Sequence, residues 1–358
     1  MVFWFLVAQR ASEWFGARLL KNVHPSTFNV RPIMRRRDFL KTASRSAAGL
    51  ALVGGTAATA AGCAGSSSAA ASGSAGADPL YEISLAEYSL HRAIGNGEMS
   101  NLEFPQVARE EFGIDAVEYV NFFFDSTEQS YLRRLRTRAD DAGVNNLLIM
   151  CSREGPLAAP TEAKRQEAID NHKKWIEAAA YLGCHSIRVD AVGSGSAAEQ
   201  ERRMAESLRR LCAFSEENGR LNILVENHSQ QAADAAWLAS VIERTDHPLA
   251  GTLPDFGNFC LEWEGEEWTS DCVREYDYYQ GIRELMPYAD AVSAKSYDFG
   301  SDGNETTIDY KRMMQIVVDH DYHGHVGIEY EGDEMGEYEG IRATKRLLKR
   351  VRRTLRDA

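Results

Sequence analysis

The chain has 358 residues and a formal net charge of −13, from 53 acidic and 40 basic side chains. Residues 64–358 alone carry 31 basic and 51 acidic side chains, a formal charge of −20. This acidity argues against nucleic acid as a partner, because binding to a phosphate backbone requires a basic face.

The beginning of the chain, residues 1–63, is predicted to be an export signal. Residues 35–41 read Arg-Arg-Arg-Asp-Phe-Leu-Lys and precede a weakly apolar stretch at 47–62. A cationic start, an apolar middle and small residues before a cleavage site are typical of such signals. The arginines followed by Phe-Leu-Lys resemble the twin-arginine export motif. Met34 directly precedes them and is an alternative start, and we expect a periplasmic or membrane-anchored protein.

A candidate lipidation site, Cys63, ends the predicted signal. Ala60-Ala61-Gly62-Cys63 resembles a bacterial lipoprotein cleavage box, although Ala60 stands where that box usually has Leu. A lipid on Cys63 would be the only attachment to a membrane; direct cleavage and release of a soluble protein is the alternative. Residues 64–78 are rich in Ala, Gly and Ser and predict a flexible linker. The folded domain is therefore expected at 79–358.

The cysteines after Cys63 are five in number, widely spaced, and contain no C-x-x-C pair. A zinc site built from thiolates is therefore not expected. One disulfide, such as Cys260–Cys272, is compatible with an oxidising compartment. Most of the others are expected to be buried as small apolar residues.

From residue 81 onward the chain alternates between predicted strands and predicted helices. The strands are expected at 83–90, 114–120, 146–151, 186–190, 222–226, 249–253, 291–295 and 325–330. The helices are expected at 101–112, 128–142, 161–182, 197–218, 232–244, 274–286, 308–319 and 338–353. Eight such units predict an α/β fold of the (β/α)₈ TIM-barrel type. A doubly wound open sheet is the alternative, but the first strand is not followed by a Gly-rich phosphate turn.

Carboxylates stand at the ends of three predicted strands. Glu226 ends the apolar run at 223–226, and Asp255 and Glu329 follow the same pattern. The carboxyl ends of barrel strands converge on one mouth, so these residues predict a metal-centred or acid/base site. A carboxylate that caps the next helix is the other interpretation of any one of them. Further polar residues at the strand ends are His91, Glu118, Asn121, Arg188, Asp190, His228 and Lys295.

These motifs resemble the xylose-isomerase-like barrels, specifically the sugar phosphate isomerase/epimerase family, over about residues 81–356. The resemblance rests on the segments 112–119, 225–228, 255–258 and 327–332, which read FGIDAVEY, VENH, DFGN and GIEYEG. It implies a TIM barrel and a divalent ion, Mn²⁺ or Mg²⁺. The implied metal ligands are Glu226, Asp255 and Glu329. Glu226 and Glu329 are also implied to move a proton between or across carbons of a sugar.

The third family ligand is where the chain departs from the pattern. The family usually has a histidine two residues before the lysine that corresponds to Lys295, and Ser293 occupies that place. The site could keep an extra water, recruit His228, or bind metal weakly or not at all. In the last case Lys295 would act as the fixed positive charge opposite an enolate.

Other side chains near the strand ends are candidates for substrate binding. They are His91, Glu118, Arg188 and His228. Alternatively, Arg188 pairs with Asp190 or a glutamate, and His91 and Glu118 pair to orient a ligand. Aromatic residues after the sixth strand could stack on a sugar ring or pack on the barrel; they are Trp263, Trp268, Tyr276, Tyr278 and Tyr279. Three histidines are expected at the opposite face: His320, His323 and His325.

Three functions are compatible with these residues. The first is an exported isomerase or epimerase of a non-phosphorylated sugar, since no basic cluster at the strand ends indicates a phosphate site. The second is a lyase or hydrolase of an oxidised glycoside that uses the same glutamates. The third is a non-catalytic sugar-binding lipoprotein, which the missing histidine favours and the intact glutamate pair disfavours.

Overall fold

The computed structural model describes residues 79–228, 230–267 and 270–357. The predicted export signal, Cys63, the linker and Trp268 lie outside these residues. Every helix in the described part of the chain is too short or too polar to cross a bilayer.

The fold is built on eight parallel strands, with one additional hairpin. The strands are β1 (Glu82–Ala86), β2 (Ala116–Val120), β3 (Asn145–Cys151), β4 (Ser186–Val189), β5 (Asn222–Glu226), β6 (Ala250–Leu253), β7 (Cys260–Trp263), β8 (Cys272–Glu275), β9 (Val292–Ser296) and β10 (His325–Tyr330). The hydrogen-bonded order of the main sheet is β6-β5-β4-β3-β2-β1-β10-β9. These strands are almost entirely buried, as expected of parallel strands that are covered on both faces.

The ring of strands closes between β6 and β9, just beyond the end of β6. Asp255 and Ser293 form an isolated parallel bridge there. The backbone N–H of Ser293 donates to the carbonyl of Pro254 at 2.9 Å, and that of Phe256 donates to the carbonyl of Ser293 at 3.1 Å. The predicted TIM barrel is therefore confirmed, and the open-sheet alternative is wrong.

Helices follow the strands and cover the outside of the barrel. They are α1 (His91–Gly95), α2 (Phe104–Phe112), α3 (Gln129–Ala142), α4 (Glu162–Leu182), α5 (Ala197–Glu217), α6 (Ala235–Thr245), α7 (Tyr278–Leu285), α8 (Tyr310–Asp319) and α9 (Glu337–Arg356). Gly113 ends α2 with φ 59° and Gly143 ends α3 with φ 65°. Both adopt the left-handed conformation that glycine takes without steric cost, as their places in the sequence suggest.

The first strand is shorter than the apolar pattern predicts. It ends at Ala86, and residues Glu87–Leu90 form a 3₁₀ turn. The buried carboxylate of Glu87 accepts hydrogen bonds from the backbone N–H of Val120 at 2.9 Å and from Asn101 Nδ2 at 2.8 Å. These tertiary contacts hold the turn, and nothing in the local sequence signals them.

The segment after β6 is a hairpin where the sequence predicts a loop and, from residue 274, a helix; the predicted start of that helix is wrong because residues 272–275 pair as a strand. Strands β7 and β8 pair antiparallel and are joined by the disulfide Cys260–Cys272, and α7 then begins at Tyr278. The anticipated disulfide is thus present. The remaining thiols in the described chain, at Cys151, Cys184 and Cys212, are buried as expected.

The barrel interior holds a small apolar core of its own. Its members are Ala86, Val120, Leu148, Met150, Leu224, Leu253 and Ala291. Tyr88, Phe122 and Phe123, which follow β1 and β2, pack against it at the carboxyl ends of the strands. The polar side chains at this mouth therefore lie above an apolar layer in the barrel interior.

Candidate active site

The carboxyl ends of β5, β6 and β10 bring three carboxylates together. One oxygen of each of Glu226, Asp255 and Glu329 lies within 4.8 Å of the others. All three side chains are buried, with at most 4% of their surface exposed. The structure thus places these residues at one point, as their positions in the sequence predict.

Asp255 is fixed in place by its neighbours. Its Oδ1 accepts hydrogen bonds from the backbone N–H groups of Gly257 at 2.9 Å and Asn258 at 3.0 Å. The side-chain amide of Asn227 accepts from the backbone N–H of Asp255 at 2.7 Å and donates to its carbonyl at 3.0 Å. Asp255 therefore directs Oδ2 toward the other two carboxylates.

Ser293 lies between two of the carboxylates. Its Oγ is 2.5 Å from Asp255 Oδ2 and 2.8 Å from Glu329 Oε2. A hydroxyl has one proton to donate, so it satisfies one of these contacts and the other needs a proton or a cation. Burial, with the nearby charges of Glu226 and Glu329, raises the pKa of Asp255 to about 8 although Lys295 opposes it. The cluster therefore has a place for positive charge beside Asp255.

Glu226 is held by one cation and one amide. Its Oε2 lies 2.7 Å from Arg188 Nε, and its Oε1 accepts a hydrogen bond from Asn258 Nδ2 at 2.9 Å. Burial raises the pKa of Glu226, while the Arg188 charge opposes that rise. Such a carboxyl suits proton transfer near neutral pH better than an exposed one.

The pKa of Glu329 is shifted in the opposite direction from that of Glu226. Lys295 Nζ lies 3.8 Å from Glu329 Oε2 and 2.8 Å from Glu331 Oε1. Burial disfavours the ionised form of Glu329, but the Lys295 charge and the Ser293 hydrogen bond outweigh it and lower its pKa. The two glutamates thus have pKa values shifted in opposite directions, the pattern that separates acid and base roles.

Lys295 remains charged although it is buried. Burial favours its neutral form, but Asp255, Glu329 and Glu331 together hold its pKa well above the usual range. The sequence interpretation did not single out Glu331. The sequence feature that could have identified Glu331 is its position two residues after Glu329.

Arg188 and His228, both predicted to bind substrate, belong to a charge network behind Glu226. Arg188 Nη1 donates to Asp190 Oδ1 at 2.5 Å and to Ser152 Oγ at 3.0 Å. His228 Nδ1 lies 3.5 Å from the same oxygen of Asp190. Burial disfavours the imidazolium of His228, but the hydrogen bond and charge of Asp190 raise its pKa. The structure shows Arg188 paired with both Asp190 and Glu226, and its role in substrate binding stays a prediction.

Glu118 lies inside the barrel, below the carboxylate cluster. Its Oε1 accepts a hydrogen bond from Ser84 Oγ at 2.6 Å, and burial raises its pKa to about 8. A Cβ at Gly327 would lie 2.5 Å from that oxygen, so the Glu118 carboxylate occupies the space beside this glycine. Gly327 precedes Glu329 by two positions on the same face of β10. Glu118 is therefore placed as a neutral group beneath the mouth.

His91 stands at the rim, at the first residue of α1. Its Nδ1 lies 2.8 Å from the carbonyl oxygen of Tyr88, and the two rings stack with centroids 4.7 Å apart. Glu118 hydrogen-bonds to Ser84 instead, so the structure does not show the possible pair of His91 with Glu118. Phe122 and Phe123 complete this aromatic rim, and Arg153 lies 4.3 Å above the Phe122 ring. The sequence interpretation missed these aromatic residues, whose signal was their place directly after strands.

The remaining candidate residues are three histidines and the aromatic residues after β6. His325 begins β10 and His320 follows α8, at the amino-terminal face of the barrel as expected. His323 Nδ1 lies 2.9 Å from the carbonyl oxygen of Leu80 at that face. Trp263 ends β7 and Tyr278 begins α7, and both line a cavity together with Asn258, which hydrogen-bonds to Glu226.

Comparisons with known proteins agree with this architecture. Residues 106–354 match the family model of the xylose isomerase-like TIM barrel. The 3-keto-D-glucoside 4-epimerase YcjR from E. coli superposes with a TM-score of 0.56 and 16% identity, over 70% of this chain and 94% of that one. A D-psicose 3-epimerase crystallised in the presence of D-fructose gives a TM-score of 0.57 and 13% identity, over 75% and 99%. A D-tagatose 3-epimerase-like protein gives a TM-score of 0.59 and 15% identity, over 77% and 98%. No curated protein sequence matches the chain.

Proposed function

Because this chain belongs to the xylose isomerase-like TIM barrel family, we propose that it is a sugar isomerase or epimerase. The observation that carries the proposal is the cluster of Glu226, Asp255 and Glu329 at the carboxyl ends of the barrel strands. Several proteins of similar fold are named as sugar epimerases, which agrees with it.

The reaction would move a proton on a carbon next to a carbonyl group. A glutamate takes the proton, the C–H electron pair forms a carbon–carbon double bond, and the carbonyl oxygen gains the negative charge of an enediolate. Return of a proton to the opposite face of the same carbon restores the carbonyl group and gives an epimer. Return to the former carbonyl carbon gives an isomer when the hydroxyl proton of the neighbouring carbon also passes to the former carbonyl oxygen. Glu226 and Glu329 are the proposed pair of acid/base groups, each able to give or take a proton, and Lys295 supplies fixed positive charge beside Glu329.

The carboxylates fit a divalent metal ion. Buried hard oxygen donors suit Mn²⁺ or Mg²⁺, and the contact that Ser293 cannot satisfy beside Asp255 is a place for positive charge. Glu226, Asp255 and Glu329 would hold the ion, with Ser293 in the place of the family's histidine. When bound, the ion would polarise the substrate carbonyl and stabilise the enediolate charge.

We further propose that the substrate carries no phosphate. Phosphate recognition generally uses arginine or lysine side chains that are available to the ligand. Here Arg188 and Lys295, which are buried at the mouth, are committed to carboxylates. Arg188 pairs with Glu226 and Asp190, and Lys295 pairs with Glu329 and Glu331. A neutral sugar matches the remaining hydrogen-bonding groups better.

The location of the protein is also a proposal. The arginine-rich motif at 35–41 and the apolar stretch at 47–62 support export by the twin-arginine route, with Cys63 as the site of a lipid anchor. The disulfide Cys260–Cys272 adds independent support, because disulfides persist mainly in oxidising compartments.

The function is tested by proton exchange from D₂O into a panel of ketoses and 3-keto-glucosides, followed by NMR, with Mn²⁺ present. We expect deuterium at a carbon next to the carbonyl, together with a new epimer or isomer. Glu226→Gln and Glu329→Gln should each lower the rate by about 10²–10⁴-fold. Glu217→Gln, an exposed carboxylate at the end of α5, is the matched control. Release of a free sugar would assign the lyase or hydrolase alternative, and no exchange with any substrate would contradict an enzymatic role.

A further inference from the structure

A cavity of about 340 Å³ lies between the disulfide-linked hairpin and the end of β9. The residues of its wall that matter here are Asn258, Trp263, Glu275, Tyr278, Tyr297 and Glu331. Its volume falls within the range of small-molecule sites, about 300–1,000 Å³. None of the steps proposed for the carboxylate cluster uses this space.

The cavity shares its wall with the carboxylate cluster. Asn258 donates to Glu226 through its side chain and to Asp255 through its backbone N–H. Glu331, on the same wall, pairs with Lys295 at 2.8 Å. Asn258 and the pair Lys295–Glu331 therefore link the cavity wall directly to the carboxylate cluster.

The cavity wall combines aromatic faces with hydrogen-bond acceptors. Tyr278 donates its hydroxyl proton to Glu275 Oε1 at 2.8 Å and stacks on Phe259 with centroids 5.3 Å apart, so its ring is held in place. Trp263 and Tyr297 provide further aromatic surface. Flat apolar faces suit the C–H face of a sugar ring, and carboxylate oxygens accept protons from its hydroxyls. The same carboxylates disfavour an anionic ligand.

The hairpin wall is covalently fixed. Cys260 and Cys272, both in the cavity wall, form the disulfide that joins β7 and β8. Trp263 lies opposite Cys272 in the register of the two strands. A wall that is ordered before binding loses less conformational freedom when the ligand arrives.

We propose that this cavity is a subsite for a second sugar ring and that the natural substrate is a glycoside. The reacting ring lies at the carboxylate cluster, and the ring joined to it through the glycosidic bond lies against Trp263 and Tyr278. This assignment rests on the proposed function, because that function places the reacting ring at Glu226 and Glu329.

The test is calorimetric binding of glucose, cellobiose and maltose to the folded domain with Glu226→Gln, which prevents turnover. We expect at least one disaccharide to bind about tenfold more tightly than glucose, the order expected from one additional stacked ring. Trp263→Ala and, as a second variant, Tyr278→Ala should reduce this ratio to near one. Val273→Ala is the matched control, since Val273 lies on the same hairpin with 56% of its surface exposed. Circular dichroism checks that each variant is folded.

Two results would overturn the subsite: equal binding of glucose and both disaccharides, or a preference that survives in both aromatic variants. The subsite and the proposed function fail in different ways. Proton exchange into monosaccharides without any disaccharide preference contradicts the subsite and leaves the function standing. A disaccharide preference without exchange into any sugar supports the subsite and contradicts the function.

Discussion

Arg188 Nε lies 2.7 Å from Glu226 Oε2, and Nη1 of the same guanidinium contacts Asp190. The two partners of this ion pair come from adjacent strands, because β4 and β5 are neighbours in the barrel. One buried cation thus serves two carboxylates. The ionisation of Glu226 therefore depends on a residue of the preceding strand.

Replacement of Arg188 should change the pH dependence of the reaction. Arg188→Gln removes the positive charge that opposes the burial-raised pKa of Glu226, so that pKa should rise further. If Glu226 must be ionised to take a proton, the acidic limb of the rate profile moves to higher pH. A rise of about one unit lowers the rate below the new pKa about tenfold. Arg188→Lys keeps the charge and should shift the limb less; a profile unchanged in Arg188→Gln would contradict this role.

Metal binding should release a proton from Asp255. The pKa of this carboxyl is about 8, so it carries a proton at neutral pH and must lose it to become a ligand. Titration with Mn²⁺ in buffers of different ionisation enthalpy should show about one proton released at about pH 6.5 and clearly less at about pH 8.5. Asp255→Asn should bind Mn²⁺ more weakly and release no such proton. Proton release that does not depend on pH would rule out Asp255 as its source.

Glu118 should make the stability of the barrel depend on pH. Burial raises its pKa from 4.5 to about 8 in the folded state, so the folded protein binds more protons than the unfolded chain between these values. Its stabilising contribution is complete below about pH 4.5 and is lost as the pH rises through about 8. Relative to Glu118→Gln, the wild type should therefore lose roughly 5 kcal/mol of unfolding free energy over this range, at about 1.4 kcal/mol for each unit of the pKa shift.

The measurement for Glu118 is urea unfolding of both proteins at several pH values. Glu87 has a pKa raised in the same direction and is present in both, so only the difference between the proteins reports Glu118. A constant difference across the range would show that Glu118 does not titrate in this window.

Export should depend on the arginine pair and anchoring on the cysteine. Arg36→Lys combined with Arg37→Lys should retain the precursor in the cytoplasm, because the twin-arginine route recognises the paired arginines. Cys63→Ala should lose labelled palmitate and move the protein from the membrane to the soluble fraction. Cys184→Ala, a buried thiol of the barrel, is the control for labelling. Palmitate that remains on Cys63→Ala would contradict the lipidation site.

The strands of the barrel could be predicted because most are short apolar runs, and polar residues follow several of these runs. The bounds of β5 and β10 agree with the prediction to the residue. The same rule located Glu226, Asp255 and Glu329, since convergence at the mouth follows from strand direction alone.

Side-chain partners were harder to predict, because they depend on rotamers and on contacts between distant segments. Asn227 bridges to the backbone of Asp255, and Glu331 turns toward Lys295, in ways that periodicity does not encode. The hairpin was missed because its two strands are only four residues each and are half-buried or exposed, with no clear apolar alternation. Glu118 and Arg188 have the expected positions, but their side chains contact other residues of the same chain: Glu118 contacts Ser84, and Arg188 contacts two carboxylates.

The bridge between Asp255 and Ser293 joins the two ends of the sheet through only a few backbone hydrogen bonds. The same two residues also meet through their side chains inside the carboxylate cluster. Completing the ring of strands and assembling the cluster are thus one structural event. A ligand bound by the cluster would stabilise the closed barrel, because its binding free energy would be lost if β6 and β9 separated. Separation of β6 from β9 at this point would move Asp255 away from Ser293 and so take the cluster apart.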